Sequence, residues 1–406
     1  MPGPALKTPL VVFSDDWGRH PSSSQHLIKH LLPTREVLWV NTIGTRPLRL
    51  DVRTAQRVIE KLKHWAAPAA SLPAVSEQDL SGVKAPHVIS PRMWPSFATM
   101  ASRRLNKALL SAALKPAIER LGEAPVVITT IPLMADLVGA LPVKNWIYYC
   151  VDDFSVWPGY DGKTMGDMER QLVPRMNDTV AASESLAQGL RQLGARPTLI
   201  THGVDLSMWQ NASNVGKKDI AEFAGLQSPL IVFWGVLDRR MDVEWVIGLS
   251  QTFESRGLPG SIVMFGPHED PDPRLFKIPR VSVRPAVAFD RLPSIAEKAD
   301  LLIMPYGDML ATRAMQPLKL KEYLATGLPV VVRDLPATRP WADACDVCDS
   351  REQFIEAVIG RLDSGVPIEQ KRARLRLEAE SWRAKAEVLE RVMDNSAIEA
   401  SAALQS

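Results

Sequence analysis

Three cysteines in 406 residues are too few for a disulfide framework and fit a reducing compartment. Charge of either sign is scarce in excess: 48 Lys and Arg stand against 46 Asp and Glu, a formal net charge of +2. That balance excludes a protein that holds polyanions by bulk charge, and no nucleic-acid-binding module accompanies the local basic stretches. No apolar run reaches the roughly 18–20 residues needed to cross a bilayer. A short apolar run follows Lys7, but Asp15 and Asp16 cut it off and no signal-peptide pattern follows, so a cytoplasmic protein is expected. There is no internal repeat, and no metal-binding motif is obvious. Proline is frequent, at 32 residues, but it is scattered among loops and forms no tract. A hydrophobic content of 46% over this length suits an ordinary globular protein of two domains with full cores.

What the chain does have is a sharply bounded helix followed at once by a strand, Gln316-Pro-Leu-Lys-Leu-Lys-Glu-Tyr-Leu-Ala-Thr-Gly-Leu-Pro-Val-Val-Val-Arg333. Pro317 suits a first helical position, Gly327 suits the stop, and Pro329 blocks continuation. A helix of about ten residues is expected, feeding a buried strand over 330–332. Leu320, Tyr323 and Leu324 share the inner face. Lys319 and Glu322 lie three apart on another side and can meet one ligand. The open helix N-terminus suits a phosphate, and the carboxylate suits the diol of a ribose. A solvated ion pair on an ordinary helix is the plainer reading of the same residues.

Pro317-x-Lys319-x-x-Glu322-Tyr323-Leu324-Ala325-x-Gly327-x-Pro329-Val330-Val331 resembles the nucleotide-sugar site of GT-B glycosyltransferases. It is closest to the large retaining family that contains many bacterial polysaccharide and lipid-sugar transferases. The resemblance is specific in this segment and moderate elsewhere. It implies an α/β fold of two Rossmann-like domains whose parallel sheets face across a cleft. The donor would sit on the C-terminal domain and the acceptor on the N-terminal one, with Glu322 on the donor ribose. The family's second Glu, eight residues earlier, is Ala314 here, a departure at the usual contact to the donor sugar.

Read in order, apolar strands alternate with helical periodicity, as parallel sheets require. Strands are expected over 9–13, 36–40, 126–130, 146–150, 197–201, 230–234, 261–265 and 301–305, with Ser183 capping a helix. The loop after the first strand lies where open α/β sheets place ligands. Its acceptor candidates are Asp16, His20 and Ser22, with helix N-capping as the plain alternative. Asp152 and Asp153 follow the strand at 146–150, placed for a general base or an acceptor-orienting carboxylate, again against a capping role. His202-Gly203-Val204-Asp205 resembles the family's hinge, and the small, polar residues 211–218 read as a linker. The expected domains are therefore 1–205 and 206–375, with 376–406 as a helix and tail packing back toward the first.

In the second half, Gly235 ends a strand and lets the backbone approach a ligand closely; Gly266 repeats the pattern. Val236 and Met241 occupy the family's phosphate-binding Arg and Lys places, and Arg239 or Arg240 stands in for them, against an ion pair with Asp238 or Asp242. Arg284 lies in a segment that resembles the one lying against the nucleotide base. Thr312 and Arg313 occupy the loop before the central helix, within reach of phosphate or donor sugar. A helix is expected near 351–362 and one charged amphipathic helix over 369–393. Cys345-x-x-Cys348 is read as core packing. The basic stretches 45–65 and 92–120, the latter with Arg103, Arg104, Lys107 and Lys115 beside Met93, Trp94 and Phe97, suit anionic lipid, although a solvated face explains them as simply.

The expected protein is a hexosyltransferase-type enzyme of the cytoplasm, peripheral at the inner face of the plasma membrane. It would move a sugar from a nucleotide-diphosphate donor to a hydroxyl of a sugar or lipid-linked acceptor in surface polysaccharide or glycolipid synthesis. Arg240, Lys319 and the helix N-terminus would offset charge on the leaving diphosphate, so neither a cofactor nor an essential metal is expected. A GT-B nucleotide-sugar epimerase, or a catalytically silent nucleotide-sugar-binding subunit, is the alternative. Sugar, base, acceptor and stereochemistry are set by loop shape and are not written in these motifs.

Overall fold

The computed structural model describes residues 7–18, 22–42, 85–157, 159–210 and 220–403. The chain divides into two compact units, Met1–Ile200 with Ala386–Ser406, and Thr201–Lys385. His20, the basic stretch 45–65 and the linker 211–218 lie outside the described residues.

Unit 1 holds β1 (Lys7–Ser14), α1 (Ser23–Leu31), β2 (Arg35–Asn41), β3 (His87–Ile89), α2 (Met100–Glu119), β4 (Val126–Thr129), β5 (Asn145–Cys150), α3 (Gly162–Leu172), β6 (Asp178–Ala181), α4 (Glu184–Gln192) and β7 (Thr198–Leu199). The strands are parallel, in the order β3-β2-β1-β4-β5-β6-β7. Leu10 to Phe13 of β1 are fully buried, so the central strand reads as an unbroken apolar run. Successive strands leave β1 first on one side and then, from β4, on the other. Loops diverge at such a reversal and leave a crevice at the carboxyl ends of the strands. Ser183 caps α4 as expected, accepting from Leu186 N at 3.2 Å.

Unit 2 holds α5 (Leu206–Gln210), β8 (Leu230–Trp234), β9 (Leu237–Asp238), α6 (Val243–Ser255), β10 (Ser261–Phe265), β11 (His268–Glu269), β12 (Val281–Arg284), α7 (Leu292–Lys298), β13 (Leu301–Met304), α8 (Leu310–Ala314), α9 (Leu318–Ala325), β14 (Val330–Arg333), β15 (Asp346–Cys348), α10 (Arg351–Ser364) and α11 (Ile368–Arg374). Its main sheet runs β12-β10-β8-β13-β14-β15, with the same reversal at β8 and β13, and β9 pairs with β11. A last helix, α12 (Trp382–Ala403), begins in unit 2 and belongs to unit 1 from Ala386 onward.

Three expectations are corrected. The helix over 369–393 is instead α11, a 3-10 stretch (Leu375–Glu380) and α12. Ser381 between them is extended, with ψ 148°, because this backbone pairs with another segment: Val204 bridges Ser381 and donates to Glu380 O at 2.9 Å. Gly203 permits the pairing, since a Cβ there would stand 2.8 Å from Trp382 Cα. Second, α9 is eight residues long, and Pro317 precedes it as N-cap with ψ 118°. Third, Met93 and Phe97 are core residues, leaving Trp94 as the exposed aromatic of that basic stretch. Cys345 and Cys348 are buried, and burial pushes both thiols up to about 12, as inert packing residues behave.

Lys321 of α9 is buried and donates to Glu380, to His202 O, and to Thr201 Oγ1 at 3.2 Å. It thereby fixes α9 to both segments flanking the Ser381–Val204 bridge. In unit 1, buried Arg35 donates to Thr8 O at 2.8 Å and reaches Asp394 at 3.2 Å and Glu390 at 3.5 Å, joining β1 and β2 to α12. Replacing Arg35 by Met strands the Thr8 carbonyl and removes charged hydrogen bonds, so the folding free energy is expected to fall by about 2 kcal/mol. A urea melt reads this; an unchanged midpoint refutes it.

Candidate functional site

Three loops at the carboxyl ends of β8, β10 and β13 are bonded into one surface. Gly235 N donates to Phe265 O at 2.9 Å, and Leu237 N donates to Pro267 O at 2.9 Å. Asp242 N donates to Pro305 O at 2.9 Å, and Gly307 N donates to Arg240 O at 2.6 Å. The approach of the first two loops is possible only without side chains: a Cβ on Gly266 would fall 1.7 Å from Gly235 O. Gly235, with φ 154°, has the Lys319 stem over it, and a Cβ there would lie 2.7 Å from Lys319 Cε. The sequence names both glycines; the structure shows that each is required by what presses on it.

Onto this surface come Arg240 from the β8 loop and Lys319 and Glu322 from α9. Glu322 is 8% exposed, and burial pushes its carboxyl up to about 7 against the opposing pull of Lys319 and a Trp234 Nε1 hydrogen bond of 3.4 Å. Burial likewise lowers the Lys319 ammonium; Glu322 counteracts this and Arg240 adds to it. Arg240 is buried, bonded through Nε to both Asp238 oxygens at 3.0 and 2.9 Å, and lies over the Tyr306 ring. So the two readings of Arg240, ion pair with Asp238 and place in the site, describe one arrangement. Arg239 is turned outward to Asp270 at 3.3 Å. Tyr323 holds α9 to β8 from beneath, donating to Trp234 O at 3.0 Å.

The other predicted residues of unit 2 are placed differently. Thr312 is fully buried, and its hydroxyl bonds Met309 O at 3.0 Å and Gly307 O, shaping the loop. Arg313 is exposed and paired with Asp308 at 2.5 Å. Arg284 ends β12, half-buried, and its Nε has no hydrogen-bond partner among the described residues. Asp270-Pro271-Asp272 has the spacing of a metal motif, but its carboxylates face Arg239 and Arg274. Among the described residues no three His, Cys, Asp or Glu side chains converge as a metal site needs.

In unit 1, the loop after β1 is organised by Asp15, which the sequence reading passed over. Asp15 accepts from Ser14 Oγ at 2.9 Å, Ser22 Oγ at 3.0 Å and Gln25 Nε2 at 3.2 Å. Crowding by protein atoms pushes its carboxyl up, and these bonds pull it back. Ser22 is also the N-cap of α1, accepting from Gln25 N at 3.4 Å, and the Asp16 carbonyl accepts from Gln25 Nε2 at 3.3 Å. Thr130 after β4 donates to Ser14 Oγ at 3.0 Å, tying the two loops of the strand reversal together. Asp153 is closed into a turn on Ser155, accepting from its N at 3.0 Å and its Oγ at 2.5 Å. Beside it stands Glu169 of α3, also absent from the sequence reading, bonded by the Tyr148 hydroxyl at 2.6 Å.

No protein-family model matches the chain, and no curated protein matches it. Solved structures do. Sucrose-phosphate synthase from Thermosynechococcus elongatus is 14% identical, with 96% of this chain and 99% of that one covered and a TM-score of 0.67. Anabaena HepE in complex with UDP is 12% identical, covering 95% and 100%, at a TM-score of 0.62. The Escherichia coli trehalose-6-phosphate protein bound with UDP-2-fluoro glucose is 11% identical, covering 96% and 99%, at 0.62. The sheet orders, the two-unit division and these full-length matches together establish that the chain has the α/β GT-B fold.

Proposed function

We propose that the protein is a glycosyltransferase that moves a sugar from a nucleotide-diphosphate donor, with UDP as the nucleotide, to an acceptor hydroxyl. One observation carries the reading: Lys319, Arg240 and Glu322 converge on the interlocked glycines at the strand reversal of unit 2. Cations over close-approach backbone suit a diphosphate, and a buried carboxylate beside them suits a ribose diol. The UDP and UDP-sugar bound to two structures of the same fold agree with it. Charge growing on the leaving diphosphate would be met by Arg240 and Lys319, without an essential metal.

The finer reading places the acceptor on a lipid-linked or polysaccharide chain at the inner membrane surface. Trp94, Met100 and Leu105 are exposed apolar residues, and Arg104 and Lys107 are exposed beside them on α2. Asn106 bonds Trp94 N at 2.6 Å and Trp94 O at 3.1 Å, holding that segment to the helix. Apolar residues among cations are the composition of a surface that settles on anionic lipid. Among the described residues no helix is long and apolar enough to cross a membrane.

In a thermal-shift titration, UDP at about 100 times its dissociation constant is expected to add about 2.7 kcal/mol of stability, with or without EDTA. Glu322→Ala should abolish that shift; a variant that responds like the wild type refutes the site. The pH dependence follows from the raised Glu322 carboxyl. It is protonated below about 7 and ionised above it, and the ionised form accepts ribose hydroxyls more strongly. UDP affinity in the wild type should therefore rise as pH increases through about 7 by more than in Glu322→Gln, which retains only the titration of UDP itself. Superimposable pH curves would remove Glu322 from the binding step. Sedimentation with phosphatidylglycerol vesicles should carry the wild type down at low salt and lose Trp94→Ala combined with Arg104→Ala; equal pelleting of both refutes the membrane surface.

A further inference from the structure

Arg284 is held unlike the other arginines near the carboxyl edge of the unit 2 sheet. Arg239 pairs with Asp270, Arg240 with Asp238, Arg313 with Asp308 and Arg333 with Asp242. Among the described residues no carboxylate pairs with Arg284, and its buried Nε has no hydrogen-bond partner. A buried donor that the fold itself does not use asks for an explanation, and recognition is one. The backbone of the residue is fixed. Its carbonyl accepts from Gly266 N at 3.3 Å, which ties the end of β12 to the glycine junction of the site.

The sheet register says where the side chain lies. Trp234, Phe265 and Arg284 are in register across β8, β10 and β12, and residues in register in a parallel sheet point to one face. That face carries α9: the Trp234 ring meets Tyr323 at 4.4 Å, and its Nε1 donates to Glu322 Oε2 at 3.4 Å. Arg240 lies on the other side of β8, where its carbonyl accepts from Gly307 N of the β13 loop. A nucleotide with its diphosphate at Arg240 and Lys319 and its ribose at Glu322 thus extends its base toward β12. Two strand spacings, about 10 Å, separate the backbones of Trp234 and Arg284. The base therefore meets Arg284 with the edge remote from the sugar. The backbone on the way offers few donors: Gly235 N is taken up by Phe265 O, Gly266 N by Arg284 O, and Pro285 has no N–H. Phe265 between them is apolar and packs on Phe223 at 5.5 Å.

We propose that Arg284 selects the base of the donor nucleotide, its guanidinium donating to the O4 carbonyl of uracil and rejecting cytosine. This deepens the reading of the protein as a UDP-dependent glycosyltransferase and rests on it. A guanidinium has five N–H donors and no acceptor. Against O4 it makes a charge-assisted hydrogen bond. Cytosine carries an amine at that position, so donor would face donor and the buried guanidinium would be left unbonded. Uracil and cytosine share their ring, their O2 and their bond to the ribose. They differ at the far edge, the one that Arg284 faces.

The test is calorimetric titration of UDP and of CDP into the wild type, Arg284→Met, Arg284→Gln and Glu322→Ala. The wild type is expected to bind UDP about 10-fold more tightly than CDP. Met offers no donor, and the Gln amide offers an acceptor as well as donors. Both variants should bring the ratio close to one by weakening UDP, with CDP bound at least as tightly as before. Retained CDP binding also reports that the site is folded. Glu322→Ala, which alters the ribose contact, should weaken both nucleotides alike. A wild type that binds the two equally overturns the assignment, and so does a preference that survives in both Arg284 variants. An equal loss of UDP and CDP on replacing Arg284, as a phosphate contact would give, overturns it too. In each of these cases UDP binding by the wild type leaves the donor site standing and Arg284 alone is lost. If neither nucleotide binds the wild type, both readings fall.

Discussion

Backbone meets backbone at Gly235 and Gly266, with no room for a single methyl group between them. The rest of the candidate donor site depends on this contact. It draws the β8 and β10 loops together, and it leaves the space through which Lys319 crosses Gly235. Lys319 then lies near Glu322 and Arg240, and Asp238 holds Arg240 in place. Burying charges in this way is costly without good partners. The raised Glu322 carboxyl and the lowered Lys319 ammonium reflect that cost.

The two units repeat one topology and diverge in chemistry. Each sheet reverses its strand order beside its first central strand, β1 or β8, and each places polar side chains on the loops there. In unit 2 those loops and α9 present Arg240 and Lys319 around one carboxylate. In unit 1 the prominent groups are Asp15, Asp153 and Glu169, surrounded by hydroxyl and amide donors. Cations suit a diphosphate, and carboxylates suit a neutral ligand rich in hydroxyls. The same fold can carry either, because the loops and not the sheet decide.

How much of this the sequence discloses depends on how local the determining contact is. β8 and β10 occupy 230–234 and 261–265 as expected, since each is a continuous apolar run stopped by glycine. Lys319 and Glu322 were legible because three residues along a helix bring them to the same side. Glu169 was not, since its partners Tyr148 and Cys150 lie 21 and 19 residues away and only the β5–α3 packing joins them. Asp15 was overlooked for its neighbour Asp16, although Ser22 and Gln25 share the short segment that holds it. The single helix expected over 369–393 failed at Ser381, where propensity favours continuation but Val204 requires an extended backbone. Its side chain, accepting from Ala384 N at 3.2 Å, is a legible cap in retrospect. Arg240, favoured over Arg239 from the sequence, is the buried one of the two adjacent arginines, while Arg239 turns out to Asp270.

The path of the chain has a consequence for how the protein is made. Unit 2 is continuous from Thr201 to Lys385, whereas unit 1 is interrupted and includes the α12 residues from Ala386 onward. Arg35, emerging early from the ribosome, meets Glu390 and Asp394 only after the whole of unit 2 has been synthesised. Domains ordinarily fold as units, the N-terminal one first. Here the second unit is the first to have all its residues, and its synthesis separates one buried arginine from the carboxylates that complete its surroundings.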